Sequence, residues 1–181
     1  MYKKVFKRIF DLSIALLTLP FFLLIFIPVA ILIKIEDGGP VLYTAERLGR
    51  NKVPFRMFKF RSMKVNAPDI RLADGSTFNS KDDARVTRIG KVLRESSIDE
   101  IPQLLNVLKG DMSLIGPRPD VSSNEEYPEQ YKSFLTAKPG ITGYNQAYFR
   151  NETNRMEKMK NDKYYADRIS FLLDLPTTEY A

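Results

Sequence analysis

Residues Leu12 to Ile33 read "LSIALLTLPFFLLIFIPVAILI", 22 positions without a charge. As an α-helix this stretch reaches about 33 Å, enough for the hydrocarbon core of a bilayer. A chain of 181 residues builds about one ordinary domain and has little core in which to hide such a helix. A cleaved leader is disfavoured, because the run passes into "KIEDGGP" at Lys34–Pro40 and not into a small-residue cleavage pattern. The stretch predicts a membrane-associated helix.

Its flanks pose the topological question. Lys3, Lys4, Lys7 and Arg8 precede the run, and Lys34, Arg47, Arg50, Lys52, Arg56, Lys59 and Arg61 follow it, against Glu36, Asp37 and Glu46. Positive flanks prefer the cytoplasmic side, and here both flanks qualify. A straight span would send one of them outside, whereas a helix that enters and returns keeps both inside. Pro20 and Pro28 supply a means of bending, since each lacks an N–H and clashes with the preceding turn. Ser13 and Thr18 could satisfy a freed carbonyl. A kinked span and a re-entrant helix both remain open on these residues alone.

The composition narrows the chemistry. There is no histidine, cysteine or tryptophan. Disulfide scaffolds, thiol catalysis and the usual Cys/His zinc sites are excluded. Any nucleophile, base or metal ligand must come mainly from Asp, Glu, Lys, Tyr, Ser or Thr. The net charge of +6 suits a phosphate-bearing substrate, a nucleic acid or an anionic lipid surface without choosing among them.

Past the "GGP" at Gly38–Pro40 the chain reads as one unit, without a repeat or a linker. Val41–Tyr43 predicts a short strand and Gly49–Lys52 a turn. Phe55–Met63 interleaves aromatic and basic residues, as an imperfect strand or an interfacial amphipathic segment. Asn66–Arg85 predicts a polar loop, and Arg88–Glu95 opens a short helix.

In "SSIDEIPQLLNVLKGDMSLIGPRP", Ser96–Pro119, the residues Ile101, Leu104, Leu105 and Leu108 recur at helical spacing, and Lys109-Gly110 is a stop signal. Ser97 and Glu100 have capping-box spacing, while Pro102 sits better if Asp99 is the cap. Either way Asp99 and Glu100 fall at or inside a helix N-terminus, where a divalent cation would reconcile two adjacent carboxylates with a phosphate. On this feature alone, simple capping, a frequent role for Asp and Glu, is the favoured explanation of the same pair. In "LIGPRP" Gly116 permits an unusual backbone angle, and Pro117 and Pro119 stiffen the chain around Arg118. A guanidinium so held suits bidentate phosphate contact, or it is a solvent-facing turn residue. "KPGITG" at Lys138–Gly143 is a second punctuated stretch leading to Arg150. Asn154–Asp167 reads as a solvated helix, and Tyr164–Leu173 as a buried or interfacial end.

Five stretches carry a resemblance: "KRIFDLSIALLTLPFF" from Lys7, "GPVLYTAERLGRNKVPFRMFKFRSM" from Gly39, "ARVTRIGKVLRESSIDEIPQLLNVLKGDMSLIGPRP" from Ala84, "PGITGYNQAYFR" from Pro139 and "YYADRISFLLDL" from Tyr164. Together they resemble the small monotopic polyprenyl-phosphate phosphoglycosyl transferases of the bacterial sugar transferase family. The resemblance implies an α+β fold: a re-entrant membrane helix with its basic flank (residues 1–37) and a compact, mainly helical cytoplasmic catalytic domain with short strands (38–181). It implies transfer of a sugar-1-phosphate from a UDP-sugar to polyprenyl (undecaprenyl) phosphate with release of UMP, at the cytoplasmic face of the bacterial inner membrane, as the first membrane step of glycan assembly.

By the same carry-over Asp99 is the nucleophile that forms an acyl-phosphate intermediate, and Glu100 helps to hold Mg2+. Arg118, between Pro117 and Pro119, contacts the donor phosphate. Arg61, Arg88 and Arg150 are assigned to phosphate binding, and Pro20 to the helix break. The family's break uses a Ser-Pro pair, where this chain has Leu19-Pro20 with Thr18 beside it. Members usually continue past the "LDL" at Leu173–Leu175 with a further hydrophobic segment. Here "LDLPTTEYA" follows, a departure expected to bear on membrane docking more than on the dyad. Partners implied are the UDP-sugar, the lipid phosphate and the bilayer, not nucleic acid, with an apolar face beside the membrane as a candidate homodimer interface. The alternatives are direct displacement without a covalent intermediate, with Asp99 as metal ligand or base, and a non-catalytic membrane-anchored binding protein.

Overall fold

A computed structural model describes residues 2–70, 83–119 and 135–143. Helix α1, Tyr2–Asp37, is 36 residues long and contains both Pro20 and Pro28. The helix runs through Pro20, the site of the expected break; a proline there costs one hydrogen bond and can bend a helix without ending it. At its C-terminal end Gly38 takes a φ of +68°, and its N–H donates to the Lys34 carbonyl at 3.0 Å. Glycine has no Cβ to oppose that left-handed turn.

Strands β1 (Leu42–Leu48) and β2 (Pro54–Phe60) pair as a two-stranded hairpin sheet. A tight turn at Arg50–Lys52 joins them, with Asn51 and Lys52 both at positive φ. Helices α2 (Arg88–Glu95) and α3 (Gln103–Lys109) follow, then β3 (Ser113–Ile115) and β4 (Gly140–Thr142). The α+β class with one long apolar helix and short strands is the one expected. Two boundaries differ. The strand read at Val41–Tyr43 extends to Leu48. The helix read over Asp99–Gly110 begins only at Gln103, because Pro102 cannot donate inside a helix.

The described residues form two compact units, one within Met1–Leu17, Glu46–Met57 and Leu104–Ala181, the other within Thr18–Ala45 and Phe58–Gln103. In the first, Asp11 is buried, and it accepts from the Ser113 hydroxyl at 2.8 Å and the Leu114 N–H at 3.1 Å. Lys7 donates to the Ser113 hydroxyl, and Arg8 donates to the carbonyls of Val107 and Leu108 at the C-terminal end of α3. Arg8 thus adds charged donors to the carbonyls at the C-terminal end of the helix. β3 and β4 run parallel, with Ser113 opposite Gly140 and Ile115 opposite Thr142. Gly116 has no positive φ; it is required by close approach. A Cβ there would strike the Lys138 carbonyl and lie 2.8 Å from the Gly140 nitrogen.

In the second unit the buried side chains Val29 and Ile33 of α1 pack with Phe60 of β2 and Leu93 of α2. Phe26 adds a ring 5.4 Å from that of Phe60. Each such burial contributes about 1.5–3 kcal/mol. Asp37 pairs with Arg61 through both carboxylate oxygens, and Glu36 accepts from the Arg88 and Ile89 N–H groups.

Each end of α1 is thus hydrogen-bonded to polar parts of the chain. Between them Phe6, Leu17, Phe21, Leu24 and Ile27 expose more than half of their surface. α1 is long and apolar enough to cross a membrane, and an outward face of this kind has lipid as its natural solvent.

Candidate active site

α2 is built around its N-terminus. Its first four N–H groups all have partners: Arg88 and Ile89 donate to Glu36, Gly90 to the Thr87 hydroxyl, and Lys91 to the Thr87 carbonyl. The Lys91 bond opens the helix's own ladder, and the Thr87 N–H donates to the Ser62 carbonyl at 3.1 Å, so every donor the helix leaves open has a partner. Gly90 lets the helix lie against the strand end, since a Cβ there would overlap the Ser62 carbonyl and sit 2.8 Å from the Ser62 Cα.

At the other end of α2, Ser97 adopts a left-handed conformation with φ of +59°. A non-glycine residue holds that geometry at a cost of about 1 kcal/mol or more, and such strain gathers at functional positions. The chain then makes one tight 3-10 turn, Ile98–Glu100, which presents the carboxylates. Ser97 makes no side-chain cap, so the capping-box expectation is replaced by this turn. The dyad precedes α3 and is not its N-terminus.

Asp99 is only 8% exposed, and Glu100 is half-buried. Lys59, from β2, sets its ammonium 2.7 Å from Glu100 Oε1 and 3.9 Å from Asp99 Oδ2. Arg94, on the last turn of α2, donates from Nε to the Ser62 hydroxyl at 2.9 Å. Burial lowers the Arg94 pKa, and the charge of Asp99 opposes that shift. Lys59 is therefore the cation in contact with the dyad, with the charge of Arg94 near enough to feel Asp99, and neither is among the residues expected from the sequence. The "FKFR" at Phe58–Arg61 carried the signal for Lys59: a strand that buries Phe60 turns its neighbour at 59 to the other face. Arg94 carried a weaker one, five residues before Asp99 at the end of a predicted helix.

The expected arginines are distributed otherwise. Arg61 is 7% exposed and donates to Asp37, to the Pro40 carbonyl and to the Met63 carbonyl. In this structure its donors hold the end of α1 to β2. Arg88 is exposed and lines a cavity of about 490 Å³ with Glu36, Asp37, Lys64, Val65, Val86 and Thr87. It stands six residues before Arg94, about 9 Å along the helix axis and about 120° around it. Arg118 is exposed just past β3 and belongs to the first unit, with Gly116, Pro117 and Pro119. Arg150 and the stretches read at 144–181 lie outside the described residues.

A residue not expected from the sequence is Asn106, on the side of α3 away from the apolar face of Ile101, Leu104, Leu105 and Leu108. It is fully buried, donates to the Arg56 carbonyl at 2.7 Å, and its own carbonyl receives the N–H groups of Gly110, Asp111 and Met112. The buried amide ties α3 to β2 and closes the turn that leads into β3.

Two adjacent carboxylates can act as a nucleophile and as oxygen ligands. Among the described residues no group of three or more acidic side chains converges. Two carboxylates are nevertheless what Mg2+ usually takes from a protein, the remaining ligands being waters and substrate phosphates. The donor chemistry fits that ion.

Residues 2–178 match the family model described as bacterial sugar transferase. The chain belongs to that family. It is 38% identical over 176 residues to a UDP-N-acetylgalactosamine-undecaprenyl-phosphate N-acetylgalactosaminephosphotransferase of Aeromonas hydrophila, covering 93% of this chain and 41% of that protein. It is 38% identical over 181 residues to the exopolysaccharide production protein ExoY of Sinorhizobium fredii, covering 93% and 80%. It is 39% identical over 180 residues to a UDP-glucose:undecaprenyl-phosphate glucose-1-phosphate transferase of Klebsiella pneumoniae, covering 94% and 38%. The chain thus spans about two fifths of the length of the Aeromonas and Klebsiella proteins. Family membership and the long apolar α1 together place this sugar transferase homologue at the bacterial inner membrane, with its polar part on the cytoplasmic face.

Proposed function

We propose that the chain is a phosphoglycosyl transferase that moves a sugar-1-phosphate from a UDP-sugar to undecaprenyl phosphate and releases UMP. The observation that carries this reading is a buried carboxylate, Asp99, held in a strained turn beside Glu100 with the Lys59 ammonium against both. The relatives' names supply the reaction class, and the site supplies roles for this chain's residues.

Asp99 attacks the sugar-bearing phosphorus as the carboxylate. The new bond is Oδ–P, the bond that breaks joins that phosphorus to the oxygen of the UMP phosphate, and no proton has to leave the nucleophile. That chemistry suits a chain without histidine. Undecaprenyl phosphate then attacks the same phosphorus, forming the diphosphate linkage and returning Asp99 to a carboxylate. Lys59 and Arg94 offset the charge of donor and leaving group, since phosphoryl transfer is mainly positioning and electrostatics. Glu100, with Asp99 beside it, would hold Mg2+, which when bound neutralises diphosphate charge. Arg118 is proposed to contact the donor phosphates, by its likeness to the family's Pro-Arg-Pro. The exposed face of α1 seats the chain where a lipid acceptor resides.

The test is UMP release from a panel of UDP-sugars with Mg2+, with and without undecaprenyl phosphate, for wild type, Asp99→Asn and Glu100→Gln. The expected result is UMP from one sugar or a few, stoichiometric with enzyme when the acceptor is omitted. Mass spectrometry should then find a phosphosugar on the Asp99 peptide. Release that strictly requires acceptor, with no adduct, would replace the covalent route by direct displacement. No release from lipid-associated, folded protein with any donor would remove the catalytic reading.

A further inference from the structure

The same ammonium that touches both carboxylates also occupies the space beside the ligands that a divalent cation would use. We propose that Lys59 is an electrostatic latch on the dyad: it neutralises Asp99 and Glu100 in the donor-free enzyme, opposes a divalent cation there, and yields when the donor's diphosphate arrives. This rests on the reading of the dyad as a cation site.

The geometry is specific. Lys59 Nζ lies 2.7 Å from Glu100 Oε1, a short charge-assisted hydrogen bond, and 3.9 Å from Asp99 Oδ2. Its side chain is only 19% exposed, so water screens the pair weakly. A like charge held at that range disfavours a second cation, and the penalty grows with the dryness of the site. The backbone of β2 fixes the base of the side chain, and Phe60, the next residue, is buried in the core. The latch can therefore move only at its flexible end. Lysine suits this task because its ammonium is a point charge on a four-carbon stem and can turn from one anion to another without a fixed fork geometry.

Donor phosphates change the balance twice over. They add negative charge that offsets the repulsion between Lys59 and a metal ion, and they offer the ammonium a new partner once it leaves Glu100. Cation and donor then bind cooperatively through one side chain, and each must raise the other's affinity by the same factor. An enzyme so built holds its nucleophile neutralised until the substrate is in place.

The experiment is a Mn2+ titration read by the EPR signal of the free ion, on the full chain in detergent, with and without UDP. The proteins are wild type, Lys59→Met and Lys59→Arg. Wild type is expected to bind Mn2+ weakly alone and about tenfold or more tighter with UDP. Lys59→Met is expected to bind about tenfold tighter than wild type without UDP and to show a smaller gain from it. Lys59→Arg keeps the charge and should stay close to wild type in the absence of UDP. Circular dichroism confirms that each variant is folded. Mn2+ affinity without UDP that is unchanged or weaker in folded Lys59→Met overturns the latch while leaving the cation site intact. Absence of Mn2+ binding in all three proteins with UDP present removes the cation reading of the dyad, and the latch with it.

Discussion

Replacing Glu36 by alanine tests whether the end of the membrane helix secures the helix that carries Arg94. Glu36 Oε1 accepts the Arg88 N–H at 2.7 Å and Oε2 accepts the Ile89 N–H at 3.2 Å, from a position 52 residues earlier in the chain. Hydrogen bonds to a charged group contribute about 1.5–3 kcal/mol each, and a carboxylate at a helix N-terminus adds about 0.3–1 kcal/mol. Two factors pull the total down. The second bond is long, and Arg88 is exposed, so water can reach the freed N–H groups. The expected loss for Glu36→Ala is therefore about 2 kcal/mol, and Glu36→Gln, which keeps one acceptor oxygen, should lose about half of that. Thr87→Ala removes the Gly90 partner from the same terminus and should cost about 1 kcal/mol. The double variant should lose less than the sum, because both act on one frayed turn. Guanidinium unfolding in mild detergent, followed by circular dichroism at 222 nm, measures the four variants beside wild type. A Glu36→Ala midpoint within about 0.5 kcal/mol of wild type would refute the argument.

Four further outcomes follow from the same geometry. Gly116→Ala should cost about 1–3 kcal/mol in chemical unfolding, because its Cβ meets backbone at Lys138 and Gly140 and the β3–β4 pair has to part. Gly38→Ala, with open space around it but a φ of +68°, should cost only about 1 kcal/mol. Gly90→Ala should lift α2 from Ser62 and carry Arg94 with it, so UMP release should fall about tenfold or more, while Gly38→Ala leaves the rate per folded enzyme unchanged. Acid should unfold the protein through Asp83 and Asp37. Arg85 holds the Asp83 carboxyl at about 2, and Arg61 holds that of Asp37 below its ordinary value. Both folded-state values are depressed, so their stabilisation is present above the unfolded-state pKa of about 3.9 and is lost as pH falls from there toward 2. Unfolding midpoints between pH 5 and pH 2 should drop less steeply in Asp83→Asn than in wild type, and equal slopes would count against the assignment.

What the sequence made legible, and what it hid, divides along one physical line. Features written in local spacing were readable: the uncharged run that became α1, the helix over Arg88–Glu95, the turn after Gly49, and the Asp99-Glu100 pair itself. The conformation of that pair was not readable from spacing. Ser97 and Glu100 match a capping box, yet Pro102 displaces the helix start to Gln103 and leaves the carboxylates on a 3-10 turn reached through a left-handed serine. Cation assignment depended even more on contacts distant in sequence. Arg61 and Lys59 lie two positions apart and look alike in the "FKFR" stretch, but Arg61 meets Asp37 and the carbonyls around it, whereas Lys59 meets Asp99 and Glu100. Which of two basic residues serves the structure and which serves the site is set by partners 24 and 41 positions away. Arg94 follows the same logic, for its place is set by Gly90, which lets α2 rest on Ser62. Gly90 therefore positions Arg94 without touching it: a side chain there would push α2 away from Ser62, whose hydroxyl receives the Arg94 guanidinium.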